Sequence, residues 1–170
     1  MTAGSIGPSI RGSLSSNAIK AIGERIVANE LTFRGWLAVN ANSGEENSPN
    51  VDLMALRGDK RVTIQVKTSG ARSNEDQHFM GYFKERGAYF NTKPGPTSDF
   101  VVSVQVNSPS NYRCLVLPVG DAERMCKLAG EAWMNVPKKD GGRRSPNFRI
   151  LLSAGERQIT SFVDAWHLLE

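Results

Sequence analysis

Two apolar stretches joined by a tight turn constrain this chain more than any other feature. The first is Val51-Asp52-Leu53-Met54-Ala55-Leu56 and the second Val62-Thr63-Ile64-Gln65-Val66-Lys67, with Gly58-Asp59 between them. Their length and β-branched content read as strands, and Gly-Asp reads as turn chemistry. Strands this apolar on both sides belong in the middle of a sheet covered on two faces. A carboxylate, a carboxamide and a lysine placed there are costly unless they serve one another, a metal or a ligand. A two-residue II′ turn, which Gly at its first position favours, sets Arg57 opposite Lys60. That register puts Asp52 opposite Gln65, with Lys67 two residues further along the same face. A slip of one residue would send Asp52 to the other face. Asp52 as a local turn cap and Lys67 snorkelling from a strand end are the plainer alternatives.

Around this hairpin the rest of the chain reads as one domain, residues 1–170, with residues 1–16 a loose Gly/Ser-rich arm whose Arg11 could touch phosphate. Residues 17–34 read as a helix, capped by Ser16 or Asn17 and ended by Gly35, with Ile19, Ile22, Ile26 and Phe33 on one stripe. Glu24 lies on its flank near Val27, Ala28 and Leu31, whereas Glu30 projects into the stripe; burial alone makes Glu30 the stranger of the two. Residues 36–40 predict a strand and residues 41–50 a polar loop carrying Glu45-Glu46. After Lys67 the chain turns polar to residue 76. A short helix with Phe79, Met80, Tyr82 and Phe83 follows, stopped by Gly87, and Pro94-Gly95-Pro96 forbids regular structure over 91–98. Strands over 100–106 and 112–117, a helix over 120–134, a loop over 135–147, a strand over 148–152 and a closing helix over 161–169 complete the reading.

On these residues the chain resembles the PD-(D/E)xK nuclease superfamily, the restriction-endonuclease-like fold. Within it, the likeness is to the branch of Holliday-junction resolvases, Mrr-type restriction enzymes and intron-associated endonucleases. The pattern is an acidic residue on one strand, acidic-x-Lys on the next, and a preceding helix carrying a Glu. Here these are Asp52, Gln65-Val66-Lys67, and Glu24 in Gly23-Glu24-Arg25; Ser43-Gly44 before Asn50-Val51-Asp52 adds to the resolvase layout. The resemblance covers residues 18–106, and 112–121 more weakly. Val51 stands where the family often has Pro, and Gln65 replaces the second carboxylate, a substitution known in the Mrr-type branch. The resemblance implies an α/β fold of the α+β mixed-sheet kind, an αβββαβ core extended by C-terminal strands and helices. It implies a divalent-metal-dependent endodeoxyribonuclease using Asp52, Gln65 and Lys67, and it selects Glu24 over Glu30 as the supporting carboxylate.

Elementary chemistry assigns the same roles. Phosphodiester hydrolysis needs a hard cation, Mg²⁺ with Mn²⁺ as substitute, and therefore oxygen ligands. Asp52 supplies a charged ligand, the Gln65 and Val66 carbonyls neutral ones, and Glu24 a further carboxylate; Lys67 orients water or stabilises charge on the phosphorane. An amide at position 65 removes one negative charge and weakens metal binding unless Glu24 contributes.

Net charge +4 and a pI near 9.3 suit a polyanion such as DNA. Candidate contacts are Arg72, Asn74, Gln77, His78 and Lys84 on the segment leaving Lys67, and Lys138, Lys139, Arg143 and Arg144 around Asp140-Gly141-Gly142, a pattern a solvated loop would also give. Phe162, Val163, Trp166 and Leu169 suggest a dimerisation face, and a two-fold homodimer or higher homo-oligomer suits a duplex or junction. No apolar run is long enough to span a membrane, no secretory signal opens the chain, and Cys114 and Cys126 read as buried thiols; the expected compartment is cytoplasmic. Two other classes fit the same residues: a nucleic-acid-binding module that lost activity with the carboxylate at 65, and a structural or oligomerising protein with a strand-end Asp52–Lys67 salt bridge.

Overall fold

A computed structural model describes residues 14–41, 50–70, 76–83, 97–145 and 147–170. The first helix, α1 (Ser16–Phe33), starts at Ser15, whose Oγ accepts the Ala18 N–H at 3.2 Å, so the cap lies one residue before the two sequence candidates. It ends in a Schellman motif: Trp36 N–H donates to the Leu31 carbonyl and Gly35 N–H to that of Thr32, each at 3.0 Å, with Gly35 at φ 79°. Its buried face is Gly23, Val27 and Leu31 rather than the expected Ile/Phe stripe; Ile22 and Ile26 are half-buried and Phe33 is 88% exposed. The rotation has a cause at Gly23, which lets the helix settle onto the sheet where any larger residue would meet Thr68.

The strands in chain order are β1 (Leu37–Asn40), β2 (Leu53–Arg57), β3 (Lys60–Gly70), β4 (Gln77–Phe83), β5 (Phe100–Ser108), β6 (Asn111–Pro118) and β7 (Phe148–Ser153), with α2 (Val119–Asn135) between the last two. Five of them form a mixed sheet in the order β1-β2-β3-β5-β6; β4 and β7 form a separate antiparallel ribbon. The predicted turn is present: Arg57 pairs with Lys60, Gly58 sits at φ 58°, and Asp59 stays at negative φ. β3 lies centrally, antiparallel to β2 and parallel to β5. The covered faces of the sheet make two cores. Val27, Leu31, Leu53, Ala55, Ile64 and Val66 pack with α1; Val101, Leu115, Leu117, Met125 and Ile150 pack with α2 and the ribbon.

The mixed α/β class holds, with two corrections inside it. Residues 77–83, expected as a helix after the third strand, form β4. A bulge between Phe79 and Gly81 interrupts its alternation, so its apolar spacing imitates a helix. The expected closing helix is two 3₁₀ turns, Thr160–Phe162 and Trp166–Leu169, separated by Asp164 at φ 48°. Trp166 and Leu169 are buried in the α1-side core, which removes the apolar face on which a dimer was expected there. Among the described residues, no helix is long and apolar enough to cross a membrane. The N-terminal residues through Arg11, the Glu45-Glu46 pair, Gly87 and the Pro94-Gly95-Pro96 segment lie outside the described residues.

Candidate active site

Asp52 stands one residue before β2, where Leu53 pairs with Ile64, so the register carried one step further puts it opposite Gln65. Two hydrogen bonds fix it against β3: its N–H donates to the Ile64 carbonyl at 2.9 Å, and its Oδ2 accepts the Val66 N–H at 2.8 Å. The carboxylate therefore lies along the strand end, buried at 8% exposure. Pleat alternation turns Gln65 and Lys67 away from Ile64 and Val66, onto the face of the sheet that α2 covers.

Lys67 is part-buried. Desolvation lowers its pKa from the ordinary lysine value, Asp52 opposes that drop, and the positive charge of Lys20 adds to it. Gln65 is also buried, and its Oε1 accepts no hydrogen bond from the described residues. An orphaned carbonyl oxygen is an expensive thing to bury, and it is the kind of donor a hard cation takes.

Glu24 reaches the same strand end from α1. Lys20, one turn earlier on the helix, places its Nζ 3.5 Å from Glu24 Oε1 and 3.3 Å from Asp52 Oδ1. Desolvation of Lys20 acts downward, but the Asp52 and Glu24 carboxylates outweigh it and leave its pKa raised. Glu30 is elsewhere: it accepts the Tyr112 hydroxyl at 2.7 Å and pairs with Arg34. Sequence reasoning misses Lys20: the one signal is its spacing of four from Glu24, which ordinary helix surfaces also show. Among the described residues no three His, Cys, Asp or Glu side chains cluster as a metal site. The oxygens offered are instead the Asp52 and Glu24 carboxylates, which share Lys20, and the orphaned Gln65 amide oxygen on the neighbouring strand. That set fits Mg²⁺ or Mn²⁺ chemically, because every member is a hard oxygen.

The expected nucleic-acid contacts divide. Arg72, Asn74 and Lys84 lie outside the described residues. Gln77 is half-buried at the start of β4. His78 is a correction: it is fully buried, its Nδ1 is 3.0 Å from the Ser103 carbonyl, and it cannot meet a ligand at the surface. The strand in place of the expected helix turns it inward. Lys138, Lys139 and Arg143 are exposed on a turn closed by Gly141 N–H to the Lys138 carbonyl at 2.9 Å. Arg144 differs: its guanidinium covers the Trp133 ring at 3.8 Å and its Nε donates to the Val136 carbonyl at 2.6 Å. The ribbon beside this turn adds Arg149, stacked over Phe79 at 4.6 Å, next to a half-exposed Tyr82; neither stands out in the sequence.

No family model and no curated relative matches this chain. Among solved structures its fold is similar to that of a bacterial homing endonuclease, I-Ssp6803I, with a TM-score of 0.50 and 16% identity over 91% of each chain. That likeness shows the fold alone, a mixed α/β one.

Proposed function

We propose that this chain is a divalent-metal-dependent endodeoxyribonuclease of the PD-(D/E)xK type, in its Gln-x-Lys variant. The observation that carries the reading is the buried Gln65 Oε1, without a hydrogen-bond partner among the described residues and one residue from the Val66 N–H that holds Asp52. Asp52, Gln65 and Glu24 would hold Mg²⁺ or Mn²⁺ together with the Val66 carbonyl. When bound, the ion supplies charge neutralisation at the phosphate and an acidified water. Asp52 is kept in place by Val66, so its carboxylate geometry is set before any ligand arrives. Lys67, part-buried on the Gln65 face, orients the attacking water and offsets negative charge on the phosphorane. The similar fold of a homing endonuclease supports DNA as the substrate class.

A second reading has its own observation. The site lacks a third carboxylate among the described residues, which suits a binding module of the same fold that has ceased to cut. Incubating the purified chain with plasmid, four-way junction and single-stranded DNA, with and without Mg²⁺ or Mn²⁺, separates the two. Metal-dependent cutting that disappears in Asp52→Asn and Lys67→Met supports the nuclease. Salt-sensitive binding of all three substrates without cutting supports the module.

A further inference from the structure

Lys20 is a cation already placed between the two carboxylates of the proposed metal site. Its Nζ touches Glu24 Oε1 at 3.5 Å and Asp52 Oδ1 at 3.3 Å, while its side chain is 54% exposed against 15% and 11% for those partners. Asp52 is held independently by the Val66 N–H, and Glu24 is largely covered beside it. Lys20 is thus the most exposed of the three groups, and Asp52 keeps its anchor without it. An ammonium offers only donors, on a flexible four-carbon stem. It can neutralise the two carboxylates but supplies no ligand to a metal.

We infer that Lys20 is the internal counter-cation of this site: it balances Asp52 and Glu24 when they hold no metal, and it must swing out for a divalent ion to take their oxygens. The inference rests on the metal-site reading above and deepens it. A divalent ion and an ammonium cannot share the same two oxygens without strong repulsion, whereas the stem of Lys20 leads directly to water. Lys20 therefore lowers divalent affinity by the value of the pairs that must be broken. Two partly exposed pairs set that effect at about three- to tenfold in Kd.

The test is Mn²⁺ binding to the full chain, followed by calorimetry and by loss of the free-Mn²⁺ electron paramagnetic resonance signal, with circular dichroism confirming the fold of each variant. Lys20→Met and Lys20→Gln should bind Mn²⁺ about three- to tenfold more tightly than the parent chain. Lys20→Arg keeps the charge and should stay near the parent. Mn²⁺ should also raise the melting temperature of Lys20→Met by more than it raises that of the parent. Binding that vanishes in Asp52→Asn, yet is unchanged or weakened in both neutral Lys20 variants, overturns the counter-cation role and leaves the metal site standing. Absence of any Asp52-dependent Mn²⁺ binding, in parent and variants alike, overturns both.

Discussion

At position 23 there is no room for a side chain, because Thr68 already fills the space. A Cβ there would lie 1.9 Å from Thr68 Oγ1 and 2.7 Å from its Cγ2, and a β-branched residue on a central strand has little freedom to rotate away. Gly23→Ala must therefore lift α1 off β3, and chemical denaturation should show a loss of about 1–3 kcal/mol. Thr68→Ala removes the two nearest atoms, so the double variant should lose less than the sum of the singles. Strict additivity would mean that the two residues do not meet. A different residue-scale consequence attaches to His78. Burial pulls its pKa down to about 4, only partly resisted by its bond to the Ser103 carbonyl. The imidazole is neutral when folded and takes a proton near pH 6.5 when unfolded. Its contribution is thus fully present above about pH 6.5 and is lost as pH falls toward 4, by on the order of 3 kcal/mol at the end of that window. Denaturation midpoints measured from pH 7 to pH 4 should fall in the parent chain and fall less in His78→Met; equal slopes would contradict a buried neutral imidazole.

Elements are legible in the sequence where a local rule sets their geometry, and illegible where packing overrides the pattern. Gly58-Asp59 determines the β2–β3 register because a two-residue turn leaves little choice of pairing, and the relation of Asp52 to β3 follows from that register. The Gly35 stop of α1 is equally local. The buried face of α1 escapes the pattern because a glycine gives no hydrophobic signal, although Gly23 is the closest approach of helix and sheet. β4 reads as a helix because the extra residue of its bulge, Met80, breaks the period-2 alternation into a helix-like spacing. In the site, Asp52 and Glu24 are visible as pattern members, whereas Lys20 is not, since an i, i+4 charge pair on a helix is common on ordinary surfaces. Hairpin geometry offers its own measurement. Gly58→Ala forces a Cβ onto a residue at φ 58° and should cost roughly 1–2 kcal/mol in equilibrium denaturation, whereas Asp59→Ala, at negative φ, should cost less. An equal cost at both positions would argue against the II′ turn.

For the whole molecule, the excess of cations matters only if it is placed where a duplex can use it. Net charge +4 is modest, so on the proposed nuclease reading affinity for DNA would come from local concentration of charge rather than from the total. The turn after α2 is the candidate for that concentration, with Lys138, Lys139 and Arg143 exposed and Arg144 tied down over Trp133. The tie distinguishes the four residues that look alike in sequence: three stand exposed, and Arg144 braces the turn that carries them. Lys138→Gln with Lys139→Gln should weaken binding to every DNA sequence alike. It should also flatten the slope of log affinity against log salt by about 0.9 for each duplex phosphate that is no longer neutralised. Arg144→Gln should act differently, weakening affinity through a loosened turn and raising the exposure of Trp133, readable as a shift in tryptophan fluorescence of the free protein. Metal-dependent cutting at saturating DNA should hardly change in the double lysine variant, because the turn contributes no side chain to the Asp52–Gln65–Lys67 strand end. A salt slope identical to that of the parent chain would remove this turn from the DNA grip and move attention to Arg149 and Tyr82 on the neighbouring ribbon. A loss confined to particular sequences would instead mean that the turn reaches base edges, where an interaction discriminates among sequences rather than merely holding the backbone.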